Sequence, residues 1–223
     1  MTTPLTNPAA PGGSKARKLV MQTLIGAVVG GGVTLGLLTA VGKSGIDLDD
    51  PSRLAALTTG IIFALIGLLI GLGTLAPNQG AHLLNVEDAD ELREQRRPLW
   101  LASVIMILIG GMMLALALAA VEGSIGIFSR DVAGIVTVMC IVGIAILSFE
   151  SRGDNDELMQ AVGAEALALA MNVTGCIVGI WAALAHLGYV DWIDPLGLLT
   201  LLLLIELVAI FWVSAKRGLL RPR

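Results

Sequence analysis

The chain has 223 residues, of which 56% are hydrophobic and 14% charged, with a mean hydropathy of +0.85. Soluble domains carry about a quarter charged residues, so this composition excludes an ordinary globular protein and points to a lipid environment. Eighteen acids against 14 bases leave a net charge of −4, which offers no electrostatic footprint for nucleic acid.

Residues 1–18 open the chain. Up to Ser14 they are rich in Thr, Pro and Gly, a composition that predicts a disordered tail. An α-helix needs about 20 apolar residues to cross a bilayer. Six segments meet or approach that length: 19–41, 54–76, 99–121, 132–149, 162–187 and 196–215. The expected fold is therefore all-α, a polytopic membrane bundle of six transmembrane helices arranged as three hairpins over 19–76, 99–149 and 162–215. The first apolar run exceeds the roughly 7–15 residues of a signal-peptide core, which predicts a retained helix. Gly26 and Gly30, Gly32 and Gly36, and Gly67 and Gly71 stand four apart in the first hairpin. Such pairs flatten a helix face for tight packing within the bundle or, for the first span, between copies of the chain.

Residues 77–98 form a linker that runs from the breakers Pro77, Asn78 and Gly80 to Pro98. Its acids come first and its bases last, an order that suits a short amphipathic helix on the inner membrane face. Arg93, Arg96 and Arg97 then lie at phosphate level, as topology anchors or as a site for lipid headgroups or a docked protein. Pro98 disfavours helix at the preceding residue, so the third span is expected to start at Leu99.

Asp88-Ala89-Asp90-Glu91-Leu92 recurs 66 residues later as Asp154-Asn155-Asp156-Glu157-Leu158. The same offset carries the third span onto the fifth and the fourth onto the sixth, which reads as a parallel duplication of the second hairpin in the third. The acidic pentads suit helix initiation, since acids favour the positive end of the helix dipole. Neither has the glycine-centred loop of a calcium hand, the sharper alternative. Residues 150–161 form the second, acidic linker.

The fifth span places Glu165 in its first turn and Asn172 and Thr174 near its middle. Antiparallel arithmetic about the turn near residue 190 sets Glu165 level with Lys216, a natural interfacial salt bridge. It sets Glu206, inside the apolar sixth span, level with Asn172 to Cys176. A carboxyl at that depth is expensive, and intramembrane acids mark function by default. Glu206, Asn172 and Thr174 are thus the candidate intramembrane polar cluster, acting as structural glue or as a proton or cation step. Gly175 and Gly179 add another small face, and residues 216–223 form a basic tail.

Eleven Lys and Arg residues fall in the tails and linkers of one side, against Lys43, Arg53 and Arg130 on the other. The positive-inside rule then puts both termini in the cytoplasm of a bacterial inner membrane. Trp181, Tyr189 and Trp192 fit the outer aromatic belt, and Trp100 and Trp212 the inner one. Cys140 and Cys176 lie in apolar spans and read as small hydrophobes. His82 and His186 lack a second ligand at metal spacing, although His186 with Asp191 and Asp194 could gather at the outer face. Neither metal nor cofactor is called for. Phosphate loops, HExxH, GxSxG and paired intramembrane aspartates are missing from the sequence, which argues against an enzyme. Three functions remain: a non-enzymatic scaffold or accessory subunit that packs with itself or other membrane proteins, a small proton- or cation-coupled transporter or channel using Glu206, and a membrane-state sensor acting through the inner linker.

Overall fold

A computed structural model describes residue 28 and residues 30–43, 50–76, 93, 95–120, 126–151 and 157–219. Residues 30–43 are helical (α1). Five further helices follow: α2 (Pro51–Leu75), α3 (Arg96–Ala117), α4 (Arg130–Ser151), α5 (Glu157–His186) and α6 (Pro195–Lys216). All five of these are long and apolar enough to cross a membrane. No strand occurs among the described residues, only an isolated bridge between Ala119 and Phe128. Several expectations lie outside the described residues: the tail over 1–18, the first part of the first span, the amphipathic linker over 77–92, and most of both acidic pentads. The last four residues of the basic tail, 220–223, lie outside them too.

Helix ends follow local chemistry. Before α2, the Asp50 carboxylate accepts from Ser52 N at 2.9 Å, and Pro51 occupies the first helical position. Asp194 and Pro195 repeat this arrangement at α6, where Gly197 N donates to Asp194 at 2.6 Å. An acceptor side chain satisfies a backbone donor that lacks an intrahelical partner, and proline loses nothing where its N–H would be idle. Beyond α5, Gly188 adopts φ 76°, and Tyr189 N reaches back to Leu184 O at 3.0 Å. This left-handed residue stops the helix at little steric cost because it has no Cβ.

The helices outrun the apolar windows. α4 extends past both Asp131 and Glu150, and α5 begins five residues before the apolar run expected at Val162. At about 1.5 Å per residue, the 30 residues of α5 span about 45 Å, more than the ~30 Å hydrocarbon core. Hydropathy marks only the part of a helix that lies in hydrocarbon, whereas backbone hydrogen bonding continues into the interface. α3 likewise starts at Arg96 and carries Pro98 as its third residue. A first-turn proline removes no intrahelical bond.

α3 is packed between α2 and α4, α2 between α3 and α6, and α6 between α2 and α5. The tightest seam joins α2 to α3. A Cβ on Gly110 would come within 2.6 Å of Ala64 N and 2.8 Å of Gly60 O, and one on Gly67 within 2.9 Å of Ile107 N and Ser103 O. Ser103 Oγ donates to Gly67 O at 2.8 Å across this seam. Ala56, Leu57, Ile61, Met112, Met113, Ala117 and Cys140 form the main core, against which Leu38 and Val41 of α1 also pack. A second cluster of Val162, Ala166 and Val213 joins α5 to α6.

Arg53, assigned to an outer loop on sequence, is the third residue of α2 and is buried. Its guanidinium donates to the Ala119 carbonyl just beyond α3. Asp50 and Pro51 start the helix early enough to carry this side chain inward, and a cation at a helix C-terminus meets the negative end of the dipole.

The seam generates a matched test. Gly110→Ala is expected to destabilise the protein by about 1–3 kcal/mol, because backbone atoms already occupy the space of the added methyl. Gly111→Ala, which meets nothing within 4 Å, is expected to leave stability unchanged or slightly raised. Thermal unfolding in detergent reads both, and equal effects would show that the α2–α3 approach is looser than described.

Candidate functional site

Three places hold the polar side chains that the sequence singles out. The first is at the start of α3. Arg93, Arg96 and Arg97 line one cleft of about 400 Å³ together with Trp100 and Leu75. Leu75 ends α2, and the antiparallel seam brings that end beside the beginning of α3. Gln95 precedes α3 without a side-chain capping bond, and no acid lies in the first turn. The three cations therefore converge at the positive end of a helix dipole, where anions are favoured and cations are not. Arg93 and Arg97 also interact with other groups of the chain. Each guanidinium carries five N–H donors in a planar fork. Forks of this kind match the paired oxygens of a phosphate or carboxylate.

The second place ties α5 to the end of α6. Lys216 Nζ donates to Glu165 Oε1 at 3.2 Å, and Arg217 donates to Glu165 Oε2 through Nη2 at 2.6 Å and Nε at 3.0 Å. The two-pronged Arg217 contact is the stronger in geometry, and sequence reasoning missed it. Residue 217 follows the last helical residue, so facing arithmetic for regular helices favoured Lys216. The signal available was only that two consecutive bases end the last span.

The third place is Glu206 with Asn172 and Thr174. The structure does not join them. Asn172 Nδ2 donates to Ala168 O on its own helix at 2.8 Å. Thr174 is half-buried, while Glu206 is exposed on α6, and among the described residues no hydrogen bond or ion pair reaches its carboxyl. Two physical reasons stand behind this. An amide on a helix finds the carbonyl one turn back without any tertiary closure. The α5–α6 cluster is built from Val162, Ala166 and Val213, nearer the Glu165 end of the pair than Glu206.

The glycine pairs divide. Gly67 and Gly71 meet side chains or backbone of α3, whereas Gly30, Gly32, Gly36, Gly175 and Gly179 have nothing within 4 Å. Gly26 and His82 lie outside the described residues. Cys140 is buried, Cys176 is exposed, and both are free. Trp181 Nε1 donates to Asp191 O at 2.9 Å, fastening the turn between α5 and α6, while Asp194 caps α6. Among the described residues no three His, Cys, Asp or Glu side chains gather as a metal site.

This arrangement defines a class: an α-helical protein with several helices able to span a membrane. Comparison with family models, with curated proteins and with solved structures returns no match.

The Glu165 fastener makes its own prediction. The amides of Arg217, Gly218 and Leu219 bond back to Val213, Ala215 and Ser214. Glu165→Gln is expected to speed hydrogen exchange at these three amides severalfold while leaving the α2–α3 amides unchanged. Unaltered exchange at 217–219 would show that the ion pairs do not hold the helix end.

Proposed function

We propose that the protein is a non-enzymatic scaffold or accessory subunit of the bacterial inner membrane, and that it assembles with a second copy of itself through the α5–α6 pair. The observation that carries this reading is Glu206. It is an exposed carboxyl inside an apolar helix, with no bonding partner among the described residues. A polar group at hydrocarbon depth left against lipid costs a few kcal/mol, and association with another polar helix face removes that cost.

A vacant helix face supports the same reading. The α3 residues at the α2 seam are Ser103, Ile107, Gly110 and Leu114. The 66-residue offset carries them onto Leu169, Val173, Cys176 and Ile180 of α5. Leu169 is half-buried against the α5–α6 cluster, but Val173, Cys176 and Ile180 are exposed, and neighbouring Gly175 and Gly179 are open. A face that is covered in one half of a duplicated unit and bare in the other is suited to a partner helix. An isologous contact of α5 with its symmetry mate is the simplest way for one chain to provide it.

The duplication is itself supported by helix bounds, since Arg130–Ser151 shifted by 66 gives 196–217 against the observed Pro195–Lys216. The charge count supports both termini in the cytoplasm for the proposed three hairpins, and in that orientation the arginine cleft and the Glu165 fastener lie on the cytoplasmic side. For a transport role, Glu206 needs further polar groups along one path. Asn172, turned to its own helix, is not joined to it.

Cross-linking and mass measurement test the assembly. Mild oxidation of the protein in lipid nanodiscs or gentle detergent is expected to link Cys176 to Cys176 and to spare buried Cys140. Glu206→Ala is expected to weaken the dimer roughly threefold to thirtyfold, the range for one intramembrane polar contact. A chain that stays monomeric at every concentration would sink the self-assembly reading. Loss of a proton or cation flux in Glu206→Gln, with assembly intact, would replace it by the transport role.

A further inference from the structure

We propose that the fork between α5 and α6, in the halves nearest their connecting turn, is a binding site for a lipophilic organic cation held at Glu206. The ligand is an ammonium or phosphonium centre on an apolar body, and it competes there with the second copy of the chain. The competition rests on the self-assembly reading; the site itself does not.

The fork follows from helix periodicity. Residues spaced alternately four and three apart lie along one side of a helix. On α5 that line runs Val162, Ala166, Leu169, Val173, Cys176, Ile180, and on α6 it runs back through Val213, Ile210 and Glu206. Val162, Ala166 and Leu169 pack with Val213 and Ile210, so these are the sides on which the two helices meet. Glu165 with Lys216 and Arg217 pins the same end. Further along, both lines are uncovered: Val173 is 37% and Ile180 63% exposed, and Cys176 and Glu206 are exposed too. There α6 is held to other helices instead. Leu199 and Leu203 pack against the main core, and a Cβ on Gly197 would lie 3.2 Å from Ser52 Oγ of α2. The connecting turn covers residues 187–194, longer than the roughly 2–5 residues of a tight helical hairpin.

The chemistry of the walls selects the ligand. Glu206 is the one ionisable side chain in sequence between Asp194 and Lys216, and among the described residues no hydrogen bond or ion pair reaches it. A carboxylate in hydrocarbon is costly, and a cation beside it offsets that cost for both partners. A hard metal ion needs several oxygen ligands, and no three His, Cys, Asp or Glu gather among the described residues. The rest of the wall is apolar: Val173 and Ile180 on α5, and Leu202 one turn before Glu206 on α6. An organic skeleton covers these surfaces while its positive centre meets the carboxylate. Glu206 also lies ten residues before Lys216, about 15 Å along the helix, too deep for the amine of a lipid headgroup. The cation is therefore one that partitions into the hydrocarbon itself.

The surfaces that hold the cation are those that the second copy covers. Glu206 can be compensated by one occupant or by the other, and both press on Val173, Cys176 and Ile180. A ligand that binds only the separate chain shifts the equilibrium toward it by mass action. Membrane-partitioned cations thus regulate assembly through the same carboxyl that promotes it.

The test uses the full chain in lipid nanodiscs or mild detergent. Tetraphenylphosphonium is the cation, tetraphenylborate is an anion of nearly the same shape, and equilibrium dialysis measures the bound probe. Tetraphenylphosphonium is expected to bind the wild type saturably and at least about tenfold more tightly than Glu206→Gln, as loss of one partner of a desolvated charge pair implies. Tetraphenylborate is expected to show no such difference. Glu157→Gln, which alters an exposed acid at the start of α5 away from the fork, is expected to bind the cation as the wild type does. Circular dichroism and thermal unfolding check that the variants fold. If Glu206→Gln does not fold, a phosphonium carrying a benzophenone is photolysed with the wild type, and labelling at 173–180 and 202–206 that excess tetraphenylphosphonium suppresses is the expected result. Equal cation affinity in the wild type and a folded Glu206→Gln overturns the site, as does suppressible labelling confined to other segments. Mass photometry then reads assembly: saturating tetraphenylphosphonium is expected to lower the dimer fraction of the wild type severalfold and to leave that of Glu206→Gln unchanged. An undiminished wild-type dimer at saturation overturns the competition. A chain that is monomeric throughout overturns the self-assembly reading and the competition with it, and the site then stands or falls on the dialysis alone.

Discussion

Close backbone contact between α2 and α3, permitted by Gly60, Gly67 and Gly110, is the constraint on which the remaining geometry hangs. In lipid the hydrophobic effect does not draw helices together, because acyl chains solvate Leu and Ile as well as a neighbouring helix does. What remains is contact at van der Waals distance and polar bonding between helices. The seam has both: near-touching backbones at Gly67 and Gly110, and the Ser103 hydroxyl given to the Gly67 carbonyl. Its two ends are consequences of that approach. At one end Leu75 meets Trp100 and the arginines; at the other, buried Arg53 reaches the Ala119 carbonyl. A wider separation would dissolve the cleft and strip Arg53 of its acceptor.

Polar chemistry outside the seam concentrates at helix ends, where water is near. Asp50 and Asp194 cap α2 and α6, and Glu165 gathers Lys216 and Arg217. These contacts set where helices begin and how the α5–α6 pair is pinned, while the apolar lengths between them set depth. Glu206 stands apart from this pattern, since it lies on a stretch where every neighbouring residue in sequence is apolar. Val173, Cys176 and Ile180 of α5 are likewise exposed.

Much of this was legible in the residues. Five long apolar helices follow from segment length, and the Asp-Pro starts of α2 and α6 follow from capping chemistry. The arginine trio was visible as a basic end to an acidic linker, but its convergence with Leu75 was not, because residues 75 and 96 are neighbours only through the seam. The glycine pairs looked alike in sequence. Gly67 and Gly71 turned out to be covered and Gly175 and Gly179 bare, a distinction that spacing cannot make because it concerns which helix lies opposite.

What the amino-acid order determined by itself is local: the apolar lengths that make helices for a bilayer, the caps that start them, and which polar residues fall inside the apolar runs. These depend on hydrophobic transfer and on backbone bonding within one segment. Tertiary structure alone decided which small faces are occupied, that Asn172 bonds to Ala168 and not to Glu206, that Arg217 joins Lys216 on Glu165, and that Arg53 is buried. Equal depth brings two side chains to the same level of the membrane. Only the rotation and tilt of packed helices brings them within hydrogen-bonding distance, and those angles arise from contacts between residues far apart in the chain.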